Sequence, residues 1–235
     1  GSHLDTPFEW RIVADAGGLG AGAMAAHGHA DALSFTLSVA GREFLVDPGS
    51  GTYHGDIAWR DAFRSAALHN TLMIGSDDQA VSGGRFLWKR KYAVQVLRWE
   101  NDAQSDVLVA EHDGYRRLTG KPVHRRHWTF DRKTDSLMVQ DEVVATSPQL
   151  VTLCWHFGEE CLVARTANGV AVHNGPVRVD VALPSGGDVS ILRGSEQPFA
   201  GWVSRAYDRR VAATTVTWRG TLQPGERLET EFVKG

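Results

Sequence analysis

The sequence is poor in sulfur, in helix-forming runs and in net charge. Two cysteines, Cys154 and Cys161, occur in 235 residues, which excludes a disulfide framework. Their apolar neighbours favour two buried free thiols, with a link across a hairpin as the alternative. Nowhere does the chain approach the roughly 18 uncharged apolar residues that a membrane-spanning helix requires, so no membrane insertion is expected. A formal net charge of −3 leaves no global basic field, and no nucleic-acid partner is expected. The first residues lack signal-peptide character. Gly1-Ser2-His3 reads as an expression-tag remnant, and its histidine is set aside.

What the chain does have is 25 glycines, eight tryptophans and many short alternating apolar segments. Ala32–Val39 runs through Gly41-Arg42 into Glu43–Val46, a hairpin pattern. More strands are expected at Tyr92–Trp99, Asp106–Glu111, His124–Phe130, Ser136–Val144 and Leu150–Phe157. Others follow at Cys161–Arg165, Val170–His173, Val177–Leu183, Val189–Leu192, Trp202–Tyr207, Val211–Trp218 and Arg227–Val233. Links such as Asn168-Gly169 and Asn174-Gly175-Pro176 carry turn chemistry. The pattern predicts an all-β fold, a large antiparallel β-sandwich with at most one or two short helices. The helical candidate is Ile57–Leu68. Trp99, Trp128, Trp155 and Trp218 fall within strand patterns and are expected in the core. No repeat or linker interrupts residues 4–235, which read as a single domain.

Candidate chemistry concentrates in the first third. In Ala26-His27-Gly28-His29-Ala30-Asp31, an extended backbone would place His27 and His29 on one face. Two such imidazoles suit metal ligation or acid–base work. Asp47 ends the apolar run Phe44-Leu45-Val46, and His69 precedes the strand-like Thr71–Ile74. His29, Asp47 and His69 with one further ligand would suit tetrahedral zinc; the alternative is a hydrogen-bonded core cluster. Gly18-Leu19-Gly20-Ala21-Gly22 lacks the spacing of a dinucleotide loop. A cupin-type metal motif would need a glutamate where Leu33 and Ser34 stand. Arg60 and Arg64, four apart, can present two guanidinium forks to a carboxylate, or pair with Asp56 and Asp61. Arg116–Arg126 is locally basic and reads as a solvated turn.

Several blocks in order resemble one family: Gly17-Gly18-Leu19-Gly20, His27-Gly28-His29-Ala30-Asp31-Ala32-Leu33-Ser34-Phe35, Val46-Asp47-Pro48-Gly49, Trp59-Arg60-Asp61, Phe63-Arg64-Ser65, His69-Asn70-Thr71 and His112-Asp113-Gly114-Tyr115-Arg116-Arg117-Leu118. Together they are similar to the C-terminal β-sandwich domain of the heparinase II/III family of polysaccharide lyases. The resemblance implies cleavage of uronic-acid-containing glycans by β-elimination. It implies His27 as the catalytic histidine of the sandwich, and His29, Asp47 and His69 as ligands of a structural zinc. Arg60 and Arg64 become candidate substrate-binding residues. The implied partners are an acidic uronate polysaccharide and an N-terminal α/α-toroid, in a bacterial protein placed in the periplasm or outside the cell. No toroid is encoded here, so the chain is expected to be a piece of a full lyase and inactive alone. The alternative reading is a non-catalytic carbohydrate-binding or assembly module that retains the metal site for folding.

Overall fold

Period-two alternation decides the architecture. In Val123–Asp131 the side chains of His124, Arg126, Trp128 and Phe130 are buried while those between them are partly exposed, as a strand with one face on a core requires. Ser136–Val144 repeats the pattern with Leu137, Val139, Asp141 and Val143. The computed structural model describes residues 2, 4 and 6–235; Gly1 and His3 of the expected tag remnant lie outside the described residues.

Among the described residues, two large sheets face each other. The first has seven strands, six of them in the order Trp10–Ala14, Phe35–Val39, Arg42–Leu45, Gln149–Phe157, Thr214–Leu222 and Asp188–Arg193, with Leu72–Ile74 paired to Gln149–Phe157. The second has eight, in the order Leu162–Arg165, Gly169–Asn174, Val177–Ala182, Arg227–Lys234, Ser136–Val144, Val123–Asp131, Ser105–His112 and Val94–Asn101. Neighbours pair antiparallel. Aromatic rings lock the two layers. Phe35 meets Trp128, Trp155 and Phe232 edge-on, and Trp155 meets Phe232 at 5.5 Å and 88°. Each such contact contributes about 0.5–1.5 kcal/mol beyond its burial. The fold is therefore the antiparallel sandwich expected from the sequence.

Three local expectations need correction. The helix runs only from Ile57 to Arg64, capped by the Asp56 carboxylate on the Ala58 N–H at 2.8 Å. Ser65 is extended because Asp78 accepts both its hydroxyl and the Ala66 N–H, at 2.7 and 2.8 Å. A separate 3-10 turn, Ala66–Leu68, follows. The strand expected from Ala32 begins at Phe35, since the Gln79 amide takes both the N–H and the C=O of Ala32. Trp99 is 63% exposed, on the edge strand Val94–Asn101, whereas Trp128, Trp155 and Trp218 are buried. Cys154 and Cys161 are free and buried.

Candidate functional site

The loop before the second strand does not extend, and that separates the two histidines of the His-Gly-His run. Ala25 is left-handed, with φ of 49°, and its carbonyl accepts the Gly28 N–H at 2.8 Å. A Cβ on Gly28 would lie 3.1 Å from the Gly20 backbone, so glycine permits this close turn. His27 consequently stays exposed while His29 turns inward. The shared face expected of an extended segment is not formed.

His29 Nδ1 lies 3.3 Å from His69 Nε2. The other nitrogen of His69 is 2.8 Å from the Ser65 carbonyl, which can only accept. His69 Nδ1 therefore carries the hydrogen, and Nε2 presents its lone pair to the cluster. Asp31 completes a group in which one ligand atom from each of His29, Asp31 and His69 lies within 4.8 Å of the others. Asp47 Oδ2 approaches the same His69 Nε2 at 3.5 Å, while its Oδ1 accepts the Gly49 N–H. Of the expected set, His29 and His69 share the cluster, Asp31 takes the place expected of Asp47, and Asp47 reaches only His69. Asp31 was not singled out in the sequence, although it stands two residues beyond His29 in the same run.

Burial dominates the electrostatics of this cluster. Burial, helped by His69, Arg60 and Arg64, pushes His29 down to about 2, so it is neutral at ordinary pH. Burial also drives the Asp31 carboxyl up to about 6, against the pull of His69 and with Asp15 and Asp47 adding repulsion. Asp15 is raised as well, again chiefly by burial. A cavity of about 360 Å³ reaches the cluster past Asp15, Asp31, Asp47 and His69. Imidazole nitrogens and crowded carboxylates are the donor set of zinc and similar divalent cations, and these residues fit such an ion.

Buried polar groups hold the three segments in register. Asn70 Nδ2 donates to the carbonyls of Phe35 and Val46, and its Oδ1 accepts the His156 N–H. Arg126, fully buried among Phe35, Trp128 and Trp155, donates through Nη1 to Leu33 O at 2.8 Å and Asn70 O at 2.6 Å. Its Nε and Nη2 clasp both oxygens of Asp141, the residue opposite it on the neighbouring strand. His124 lies 2.6 Å from the same carboxylate and 3.3 Å from His112, whose Nδ1 accepts the Gly114 N–H. Burial would push Asp141 up, but Arg126 and His124 outweigh it and hold it below the usual carboxylate range.

His27 meets Tyr53 edge-on, with Nδ1 3.3 Å from the Tyr53 hydroxyl. Beneath Tyr53, the Arg60 guanidinium stacks 4.6 Å from the ring centroid. Arg60 is 0% exposed, and its three side-chain nitrogens have no hydrogen-bond partner. Burial and the neighbouring Arg64 lower it to about 10. Arg64 is buried too, stacked 4.3 Å over Trp88, and donates to the Gly84 and Arg85 carbonyls. Both arginines therefore lie under the site. Tyr53 carries no signal in the sequence beyond following a glycine-rich turn.

The fold is an antiparallel sandwich whose loops gather histidines and carboxylates close to an exposed histidine. The chain belongs to the heparinase II/III-like family: the model of that family's C-terminal domain matches residues 7–232. Its fold is similar to that of heparan sulfate lyase HepC from Pedobacter heparinus, with 19% identity, a TM-score of 0.74, and coverage of 95% of this chain and 32% of that one. It is also similar to heparinase III, with 22% identity, a TM-score of 0.69, and coverage of 88% and 30%. The chain therefore spans about a third of the length of these solved structures. No curated protein matches the sequence.

Proposed function

We propose that this domain forms one wall of the cleft of a bacterial polysaccharide lyase acting on uronic-acid-containing glycans in the periplasm or outside the cell. The observation that carries the reading is the exposed His27 held beside a buried His29–Asp31–His69 cluster, in a chain matched almost end to end by the family. In β-elimination a base takes the uronate C5 proton, the C5–H electron pair becomes the C4=C5 double bond, the C4–O4 bond breaks, and O4 receives a proton. The step needs positive charge near the carboxylate and a positioned proton acceptor.

His27 is the catalytic residue of this wall. With Nδ1 engaged by Tyr53, its Nε2 is left for the sugar. Arg60 and Arg64 serve substrate binding through their field: Arg60 is buried without an ion-pair partner among the described residues and raises the affinity of the overlying surface for a carboxylate, while Arg64, 3.8 Å from Asp61, contributes less. His29, His69 and an Asp31 or Asp47 carboxylate would hold a structural zinc, which when bound supplies fixed positive charge and rigidity to the loop carrying His27. The rest of the cleft comes from the N-terminal α/α-toroid, in keeping with solved structures about three times as long.

Elemental mass spectrometry tests the metal. About one zinc per chain, lost in His29→Ala, is expected. Metal-free protein after chelator-free purification would leave a hydrogen-bonded core cluster and favour the binding-module reading. Release of unsaturated product, followed in the ultraviolet, tests the chemistry: the domain alone should be silent on uronate polymers, and His27→Ala should abolish turnover in the full lyase.

A further inference from the structure

Tyr53 is touched by the tips of two hairpins far apart in sequence. One pairs Val81–Gly84 with Leu87–Arg90 through Arg85-Phe86, and the other pairs Trp202–Ala206 with Arg209–Ala212 through Tyr207-Asp208. The Phe86 ring lies 6.1 Å and the Tyr207 ring 5.1 Å from that of Tyr53. Both rings are exposed, Phe86 by 37% and Tyr207 by 67%. Each ring packs one side on Tyr53, and Phe86 also on His54, while the rest of its surface stays open to solvent beside the exposed His27.

Both tips are also held firmly. Arg64 grips the Gly84 and Arg85 carbonyls, and Arg85 Nη1 donates to Tyr53 O at 3.2 Å. On the other side, Ser204 N–H donates to Pro48 O at 2.7 Å and Asp208 N–H to Gly51 O at 2.9 Å. Gly49, with φ of 79°, permits that seat, because a Cβ there would stand 2.2 Å from Ser204 O. The tips are therefore fixed relative to Asp47–Tyr53, the loop bearing one carboxylate of the metal cluster.

Each tip carries cations that no carboxylate of the described residues neutralises. Arg85 is spent only on a backbone carbonyl. Arg209 and Arg210 are exposed, and the Arg210 guanidinium lies 3.9 Å over the Trp59 ring. By contrast, Arg98 and Arg178 pair with Glu100 and Asp180, and Arg205, further down the second hairpin, is already held by Glu43 and Glu159. An exposed aromatic ring beside an unneutralised guanidinium recognises a sugar bearing an acidic substituent: the ring covers its apolar face and the guanidinium forks onto carboxylate or sulfate.

We propose that the two hairpin tips are flanking subsites for an acidic polysaccharide. Phe86 with Arg85 takes a sugar on one side of the residue bound at His27, and Tyr207 with Arg209 and Arg210 takes one on the other. The proposal rests on the reading that a uronate glycan passes His27, and it adds that the domain measures chain length. Neither tip takes part in bond cleavage.

Titration calorimetry of the chain with size-defined oligosaccharides tests it, using disaccharides and hexasaccharides of unsulfated polymannuronate and of heparan sulfate. Wild type binds hexasaccharide more tightly than disaccharide. Phe86→Ala and Tyr207→Ala each weaken hexasaccharide binding about five- to tenfold, change disaccharide binding less than about twofold and keep a cooperative thermal transition. Arg209→Gln with Arg210→Gln flattens the salt dependence, as expected when ionic contacts are lost. A loss in both glycan series marks carboxylate as the group read, and a loss confined to heparan sulfate marks sulfate; either supports the subsites. Variants that bind hexasaccharide like wild type, or that lose both lengths equally, overturn the subsites while sparing the lyase reading. Wild type that binds none of the four probes overturns both.

Discussion

Two clusters in this molecule use the same residue types to opposite ends. In the first, every proton has an address. Gly114 N–H occupies His112 Nδ1, so His112 donates to His124, His124 donates to Asp141, and Arg126 closes the chain on Asp141 and on the Leu33 and Asn70 carbonyls. In the second, His29 and His69 direct nitrogens at each other, three carboxylates crowd the same cavity, and the nearby Arg60 has no acceptor. A satisfied buried network stiffens a core. An unsatisfied one costs stability and is the place to look for a ligand.

The sharpest way to break this contrast is to cut the satisfied network. Arg126→Met leaves the buried Asp141 with His124 as its remaining partner and strips it of its counter-ion, which costs about 3–5 kcal/mol. At this chain length that lowers the melting temperature by about 10 °C, and adding Asp141→Leu recovers most of the loss. Denaturant unfolding of the two singles and the double reads this directly, and a harmless single variant would mean the pair is not ionised.

Metal comes next. Zinc at a thousandfold excess over its dissociation constant stabilises the folded state by about 4 kcal/mol, with the response absent in His29→Ala. A thermal scan with and without chelator measures both. Arg60→Met should act with the opposite sign to Arg126→Met. Replacing a buried guanidinium that has no acceptor by an apolar chain stabilises by roughly 1–3 kcal/mol, while affinity for uronate oligosaccharides falls. A destabilised Arg60→Met would reveal an acceptor for that charge.

The gentlest probe is pH. Burial holds His112 and His124 below the ordinary histidine value, in His124 against the pull of Asp141. The unfolded chain then binds more protons than the folded one below about pH 6.5, so stability falls as pH drops, by up to about 1.4 kcal/mol per pH unit for each histidine. Asp141 follows the same direction lower down, losing its contribution as pH falls through the carboxylate range. Asp31, raised to about 6, has the reverse sign, and its contribution is lost as pH rises from about 4 to 6. Urea unfolding at pH 5, 6 and 7 should show a slope that flattens in His112→Asn.

The sandwich was legible because alternation is local: Val123–Asp131 and Ser136–Val144 announce their buried faces residue by residue. The helix break at Ser65 and the late strand start at Phe35 were not, because Asp78 and Gln79 impose them from a distance. At the site, family likeness pointed to His27, His29, Asp47 and His69. Asp31 was missed although it stands two residues past His29, because a left-handed turn, and not a strand, brings it to the cluster. The direction of Arg60 was also hidden. Helical spacing fixes which neighbours it shares a face with, and only the loop carrying Tyr53 decides that this face is covered.

The clasp of Arg126 on Leu33 spans 93 residues of chain. A nascent polypeptide therefore releases every proposed metal ligand long before the strand that fixes them, so the cluster matures only after the two sheets close. Formation of such distant contacts follows the slow closure of the topology. A metal that binds only the assembled cluster would lengthen the lifetime of the folded domain.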